Sequence, residues 1–143
     1  MKWKVTVLSI SVLAGCQQYP VNEQSVATRL YLGEQYLQAK QFAHATRNYR
    51  KVVALQPNNV QGWWGLAQIA AQQGDTVTAH LYYQRAFQMA PENTKLRDNY
   101  GAFLCTLGQY DEARRVSKRD EKTMGNQKGE PRKNSSDVCL PES

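Results

Sequence analysis

The chain has 143 residues, 41% of them hydrophobic, and a formal net charge of +6, which suffices for one ordinary domain with a modest core. Between residues 26 and 115 ten basic residues stand against six acidic ones, scattered without a stripe or a recognisable module, which argues against a nucleic-acid surface. His44 and His80 lie far apart with no Cys, Asp or Glu at ligand spacing, and there is no glycine-rich phosphate loop or Gly-x-Ser-x-Gly sequence, so nothing marks a metal site, a cofactor, a small-molecule substrate or a catalytic centre.

The first element is a leader. Lys2 and Lys4 precede an apolar run over 5–15, shorter than the roughly 20 residues a membrane-spanning helix needs, so it reads as a secretory signal. The run ends in Leu13-Ala14-Gly15-Cys16. That tetrapeptide resembles the bacterial lipobox, and the resemblance implies diacylglycerol on the Cys16 sulfur, cleavage before it and acylation of the new amino terminus. Each buried methylene adds about 0.8 kcal/mol, and more than one chain is needed for stable anchoring. Gln17, where Asp would retain a Gram-negative lipoprotein in the inner membrane, implies the periplasmic face of the outer membrane. Residues 1–15 are therefore expected to be the signal, and 16–25 the lipidated cysteine and a polar tether.

Order begins after the tether. The chain aligns on itself with a period of 34: Pro57 with Pro91, Asn59 with Asn93, Tyr49 with Tyr83, and Ala45 with Ala79 and Ala113. The units are 26–59, 60–93 and an incomplete 94–115. Small residues at 33, 67 and 101 suit close helix approach, Gly74-Asp75 and Gly108-Gln109 mark turns, and the two prolines mark stops. Helices are expected at 26–39, 42–55, 60–73, 76–89 and 94–107, with a weaker one from 110.

Leu32-Gly33, Tyr36, Ala45, Tyr49 and Pro57 in the first unit, and Trp63, Leu66-Ala67, Ala79, Tyr83, Ala86 and Pro91 in the second, resemble the tetratricopeptide repeat. The implied fold is all-α: helical hairpins stacked as a short right-handed solenoid, in which each hairpin has an apolar face that only its neighbours cover.

The third unit is more specific. The stretch DNYGAFLCTLGQYDEA over 98–113 resembles a segment of the type IV pilus biogenesis lipoproteins of the PilF or PilW family, departing at Asp98 where Asn is usual. A lipobox, a tether, two repeats and this segment reproduce the family's layout. Membership implies a pilotin, a non-enzymatic lipoprotein that binds the secretin subunit of the type IV pilus and escorts it to the outer membrane. The alternatives are another periplasmic repeat lipoprotein acting as a protein–protein adaptor, and a non-functional frameshifted remnant.

In this repeat class the first helix of each hairpin lines the groove that receives the partner. Repeat alignment places Leu30, Glu34, Leu37 and Gln38 there in the first unit, Gln61, Trp64, Gln68 and Gln72 in the second, and Lys95, Asp98 and Ala102 in the third. Trp63, at the consensus tryptophan offset, is a packing residue, and most of the tyrosines, Tyr31 included, read as filling between helices.

From 116 the repeat fails, with Ser117 and Asp120 where an aromatic and a small residue are due. Residues 116–143 are rich in charge, Gly, Pro and Ser, the composition of a disordered tail, either an interaction segment of a natural short form or the product of a frameshift. With the second helix of the third unit missing, Tyr100, Phe103 and Leu104 are expected to lose their cover and the array to have low stability. Cys105 falls in a helical stretch and Cys139 in the tail, an arrangement that argues against a disulfide between them.

Overall fold

The computed structural model describes residues 23–117 and Cys139. The leader, Cys16, the first part of the tether and the proposed disorder of the tail lie outside the described residues.

Among the described residues six helices follow one another, α1 (Glu23–Gln38), α2 (Phe42–Leu55), α3 (Val60–Gln72), α4 (Thr76–Met89), α5 (Thr94–Thr106) and α6 (Tyr110–Ser117). They form three hairpins, α1/α2, α3/α4 and α5/α6, stacked as an all-α hairpin solenoid. Local chemistry explains most ends. The side chains of Asn59, Asp75 and Asn93 accept hydrogen bonds from the backbone N–H of Gly62, Thr78 and Leu96, capping α3, α4 and α5. Each such cap satisfies a donor that the first helical turn otherwise leaves unmet. Past the ends of α3 and α5 the chain reverses through Gly74 (φ 78°) and Gly108 (φ 72°), and past α1 through Lys40 at φ 55°. These three residues share one repeat offset. Only glycine adopts that backbone without steric cost.

Helix α1 begins at Glu23, inside the stretch 16–25 that reads as tether.

Two clusters make up the core. One gathers Leu37, Ala45, Tyr49, Leu66 and Ile69 between the first and second hairpins; the other gathers Ala79, Tyr83, Ala86, Leu96, Tyr100 and Leu104 between the second and third. The two junctions are built differently. Across the first, Gly62 and Gly65 of α3 let α2 come close, since a Cβ on Gly62 would stand 2.7 Å from Val53 and 2.9 Å from Val52. One repeat later Leu96 and Asn99 occupy those places, and the space is filled by rings: Tyr83 and Tyr100 stack at 5.2 Å with planes 10° apart, and Phe103 and Phe87 lean on the pair. Offset aromatic pairs contribute about 0.5–1.5 kcal/mol beyond area burial.

The third hairpin is not left open. Tyr100, Phe103 and Leu104 are 1%, 8% and 0% exposed, contrary to the expectation of an uncovered end. Helix α6 supplies the cover through Ala113 and Val116, the latter one residue past the point where the repeat match was expected to stop. Cys139 also packs there and forms a disulfide with Cys105, with Cα atoms 5.4 Å apart and a sequence separation of 34. The pairing overturns the sequence-based expectation. Cys105 lies on the edge of α5, half-buried, so its helix does not shield the thiol from a returning chain.

Candidate protein-binding groove

The residues assigned to the groove divide into three groups. Glu34 and Gln38 on α1, Gln61 and Gln72 on α3, and Lys95, Asp98 and Ala102 on α5 are exposed. They recur at steps of three and four residues on α1 and α5 and of eleven, close to three whole turns, on α3, and so share the outward side of the first helices. Leu30, Trp64 and Gln68 are half-buried beside them.

Leu37 must be corrected. It is 6% exposed and belongs to the first core cluster. Its repeat offset neighbours Gln38, but it lies in one buried cluster with Leu66 and Ile69 of α3, against which Phe42 also packs, so it does not line the outward face. Tyr31 errs in the opposite direction: expected between helices, it is 63% exposed. It occupies the offset at which Gly65 meets the preceding hairpin, and no described helix precedes α1.

Polar contacts tie the exposed row together. Glu34 accepts from the Tyr49 hydroxyl at 3.2 Å and from Gln38 Nε2 at 2.9 Å. Burial, reinforced by the Glu34 charge and this hydrogen bond, pushes the Tyr49 phenol far above its ordinary range. In the next unit Gln68 Nε2 donates to Asn99 Oδ1 at 3.1 Å, and Asn99 Nδ2 donates to the Lys95 carbonyl at 3.0 Å. This chain of amides joins α3 to α5. Sequence reasoning missed Asn99. The available signal was its offset of 34 from Gly65, which predicts a position beside the preceding hairpin even though the side chain itself is exposed.

The two adjacent tryptophans part company. Trp63 donates its indole N–H to the Pro57 carbonyl at 2.7 Å, packs near Tyr82 with ring centroids 5.5 Å apart, and carries the Arg85 guanidinium 5.5 Å from its ring. Arg97, one repeat on, reaches the Pro91 carbonyl at 2.5 Å, so a cation performs the same tether there. Trp64 packs against the second cluster, yet its Nε1 has no hydrogen-bond partner.

At the far end Tyr100 donates to Glu112 Oε1 at 3.4 Å, with His80 Nε2 at 4.0 Å from the same oxygen. Burial, then the Glu112 charge, raises the Tyr100 phenol, and burial alone pushes Tyr83 up to about 12. The exposed Asp75 is held below its usual range by its hydrogen bonds to Thr78. Among the described residues no group of three or more His, Cys, Asp or Glu side chains is placed to hold a metal ion, and no helix is long and apolar enough to cross a membrane.

Comparison with known proteins finds a tetratricopeptide repeat at residues 70–119, from the end of α3 through α6. The chain is also similar to Protein O-mannosyl-transferase TMTC1 of Homo sapiens, 33% identical over 67 residues, and to the Mus musculus protein of that name, 31% identical over 67 residues. These alignments cover 47% of this chain but only 8% and 7% of the two relatives. The likeness thus spans a small part of the transferases.

Proposed function

We propose that the face formed by the first helices binds a segment of a partner protein, and that this partner is the secretin subunit of a type IV pilus, with the chain held at the periplasmic face of the outer membrane by lipid on Cys16. A tetratricopeptide array is a protein-binding scaffold. The observation that carries the reading is the outward row on α1, α3 and α5, where side-chain amides flank the half-buried Leu30 and Trp64. Apolar anchors inside a polar rim suit an extended or helical peptide. The secretin assignment is supported by the 98–113 segment, and the anchor by the lipobox. Fixing the chain to the membrane raises the local concentration of the captured subunit there, an effective-concentration effect in which no bond is made or broken.

Deleting the gene is expected to abolish heat-resistant secretin multimers and surface pili; intact multimers would sink the assignment. Replacement of Cys16 by Ser should end incorporation of a palmitate label. Within the groove, Trp64→Ala is expected to weaken secretin capture at least tenfold while leaving the helical content unchanged.

The likeness to a generic repeat favours a second reading, an adaptor for other periplasmic proteins such as cell-wall enzymes. Gene neighbourhood separates the two, since pilotin genes of this type usually lie beside a radical-SAM methyltransferase gene. The remnant reading is opposed by the burial of Val116 and by the bonding of Cys139 to Cys105, because unselected sequence has no reason to complete a core. Translation of all three frames beyond codon 115 tests it directly: resumption of the repeat in another frame would favour the remnant.

A further inference from the structure

Helices α2 and α4 contain no aspartate or glutamate, yet α2 carries Arg47, Arg50 and Lys51 and α4 carries Arg85, all exposed. The carboxylates of the described residues lie on α1, α5, α6 and the connections between helices. Charge that is scattered along the sequence therefore separates in space, with a carboxylate-free cationic layer on two of the three second helices. The 34-residue offset pairs Arg47 with Leu81 and Lys51 with Arg85. On α4, Val77 and Leu81, one helical turn apart, are 72% and 59% exposed.

We propose that this outer face docks on a bilayer containing anionic phospholipid, with Arg47, Arg50 and Lys51 at the headgroup phosphates and Val77 and Leu81 entering the interface. Charge complementarity selects an anionic occupant, because the two helices carry four exposed cations and no carboxylate within their lengths, Asp75 standing at the cap of α4. The two exposed apolar side chains select a bilayer over an acidic protein, since cations flanking solvated aliphatic groups on an outer helix face are the pattern of interfacial attachment. Docking in this way leaves Glu34, Gln38, Gln61 and Gln72, on the other helix layer, open to a protein partner. The inference rests on the layout of charge and not on the lipid anchor or the secretin.

The test is flotation of the full chain with vesicles of phosphatidylcholine alone and with a third of phosphatidylglycerol. Binding is expected only to the anionic vesicles and should weaken as salt shortens the range of the attraction. The triple variant Arg47→Gln/Arg50→Gln/Lys51→Gln should lose on the order of a hundredfold in affinity, about fivefold per cation. Lys95→Gln, on the groove side, should bind as the unaltered chain does. All these positions are exposed, and circular dichroism of each variant reports its fold. Equal flotation on neutral vesicles, or a triple variant that binds undiminished, overturns the proposal. So does a Val77→Ser/Leu81→Ser variant that binds vesicles and polyglutamate as the unaltered chain does, which would make the face an acidic-protein site. Intact secretin multimers in a deletion strain would remove the pilotin reading and leave this result standing.

Discussion

The phenol ring of Tyr49 lies directly against the bare Cα of Gly65, with Gly33 on its other side, so that one aromatic side chain of α2 is held between two glycines of α1 and α3. The ring is 3% exposed and its hydroxyl is fixed on Glu34. It has no direction in which to retreat.

Replacement of Gly65 by Ala sets two effects against each other. Helix propensity favours alanine by about 1 kcal/mol, while forcing a methyl group into a packed ring costs about 1–3 kcal/mol. With the ring clamped from both sides the clash is expected to win, and the urea midpoint of Gly65→Ala should fall. Truncating the ring as well, in Gly65→Ala/Tyr49→Leu, should show a coupling between the two changes in a double-mutant cycle. A rise in the midpoint of the single variant would refute the close-packed junction.

Lys40 adopts the left-handed backbone that Gly74 and Gly108 adopt one and two repeats later. For a residue with a side chain that conformation costs about 1–2 kcal/mol, partly offset by the greater entropy glycine loses on folding. Lys40→Gly should therefore stabilise the chain by up to about 1 kcal/mol, whereas Gly74→Ala should destabilise it by at least as much. Chemical denaturation of the two variants decides the matter, and equal shifts of the same sign would contradict it.

Alkali should unfold the protein before it harms the backbone. Tyr83 titrates near 12 when folded because burial opposes the phenolate, against an ordinary value near 10. In that interval the folded state holds more protons than the unfolded one, so stability is intact below pH 10 and falls as pH rises towards 12. Tyr49 and Tyr100, raised in the same direction, add to the loss. Urea titrations at pH 8, 10 and 11.5 should show the decline, with a contribution from Tyr83 on the order of 2 kcal/mol. In Tyr83→Phe the decline should be shallower; an identical profile would mean that the ring is solvated.

Reduction of the Cys105–Cys139 disulfide releases a closed loop with a sequence separation of 34 residues. Loop entropy alone assigns such a crosslink about 3–4 kcal/mol. Dithiothreitol is expected to lower the melting temperature of the unaltered chain, and Cys139→Ser should melt at that lower temperature whether or not reductant is present. A melt indifferent to reductant in the unaltered chain would show that the bond does not stabilise the third hairpin.

The repeat was legible because each of its marks is local. A cap such as Asn59, a turn residue such as Gly108 and a small residue such as Ala45 act on their own helix or on the next one, and their spacing repeats in the chain. The exposure of Gln61, Gln72 and Glu34 follows from the same periodicity. The errors fall where a distant neighbour decides. Leu37 is buried because it packs with Leu66 and Ile69 of α3, and Tyr31 is exposed because no described helix covers it, although the two residues lie on one helix.

By itself the sequence determined the helices, their pairing into hairpins and the side of each hairpin that faces its neighbour, because these follow from periodicity and from the backbone preferences of single residues. Only the tertiary structure decided the return of Cys139 to Cys105, the cover of Tyr100 by α6 and the separation of the α2 and α4 cations from the polar row on the first helices. Each of these depends on residues far apart in the chain and close in space. Helical periodicity records which side a residue faces, and burial, crosslinking and charge complementarity depend on what stands there.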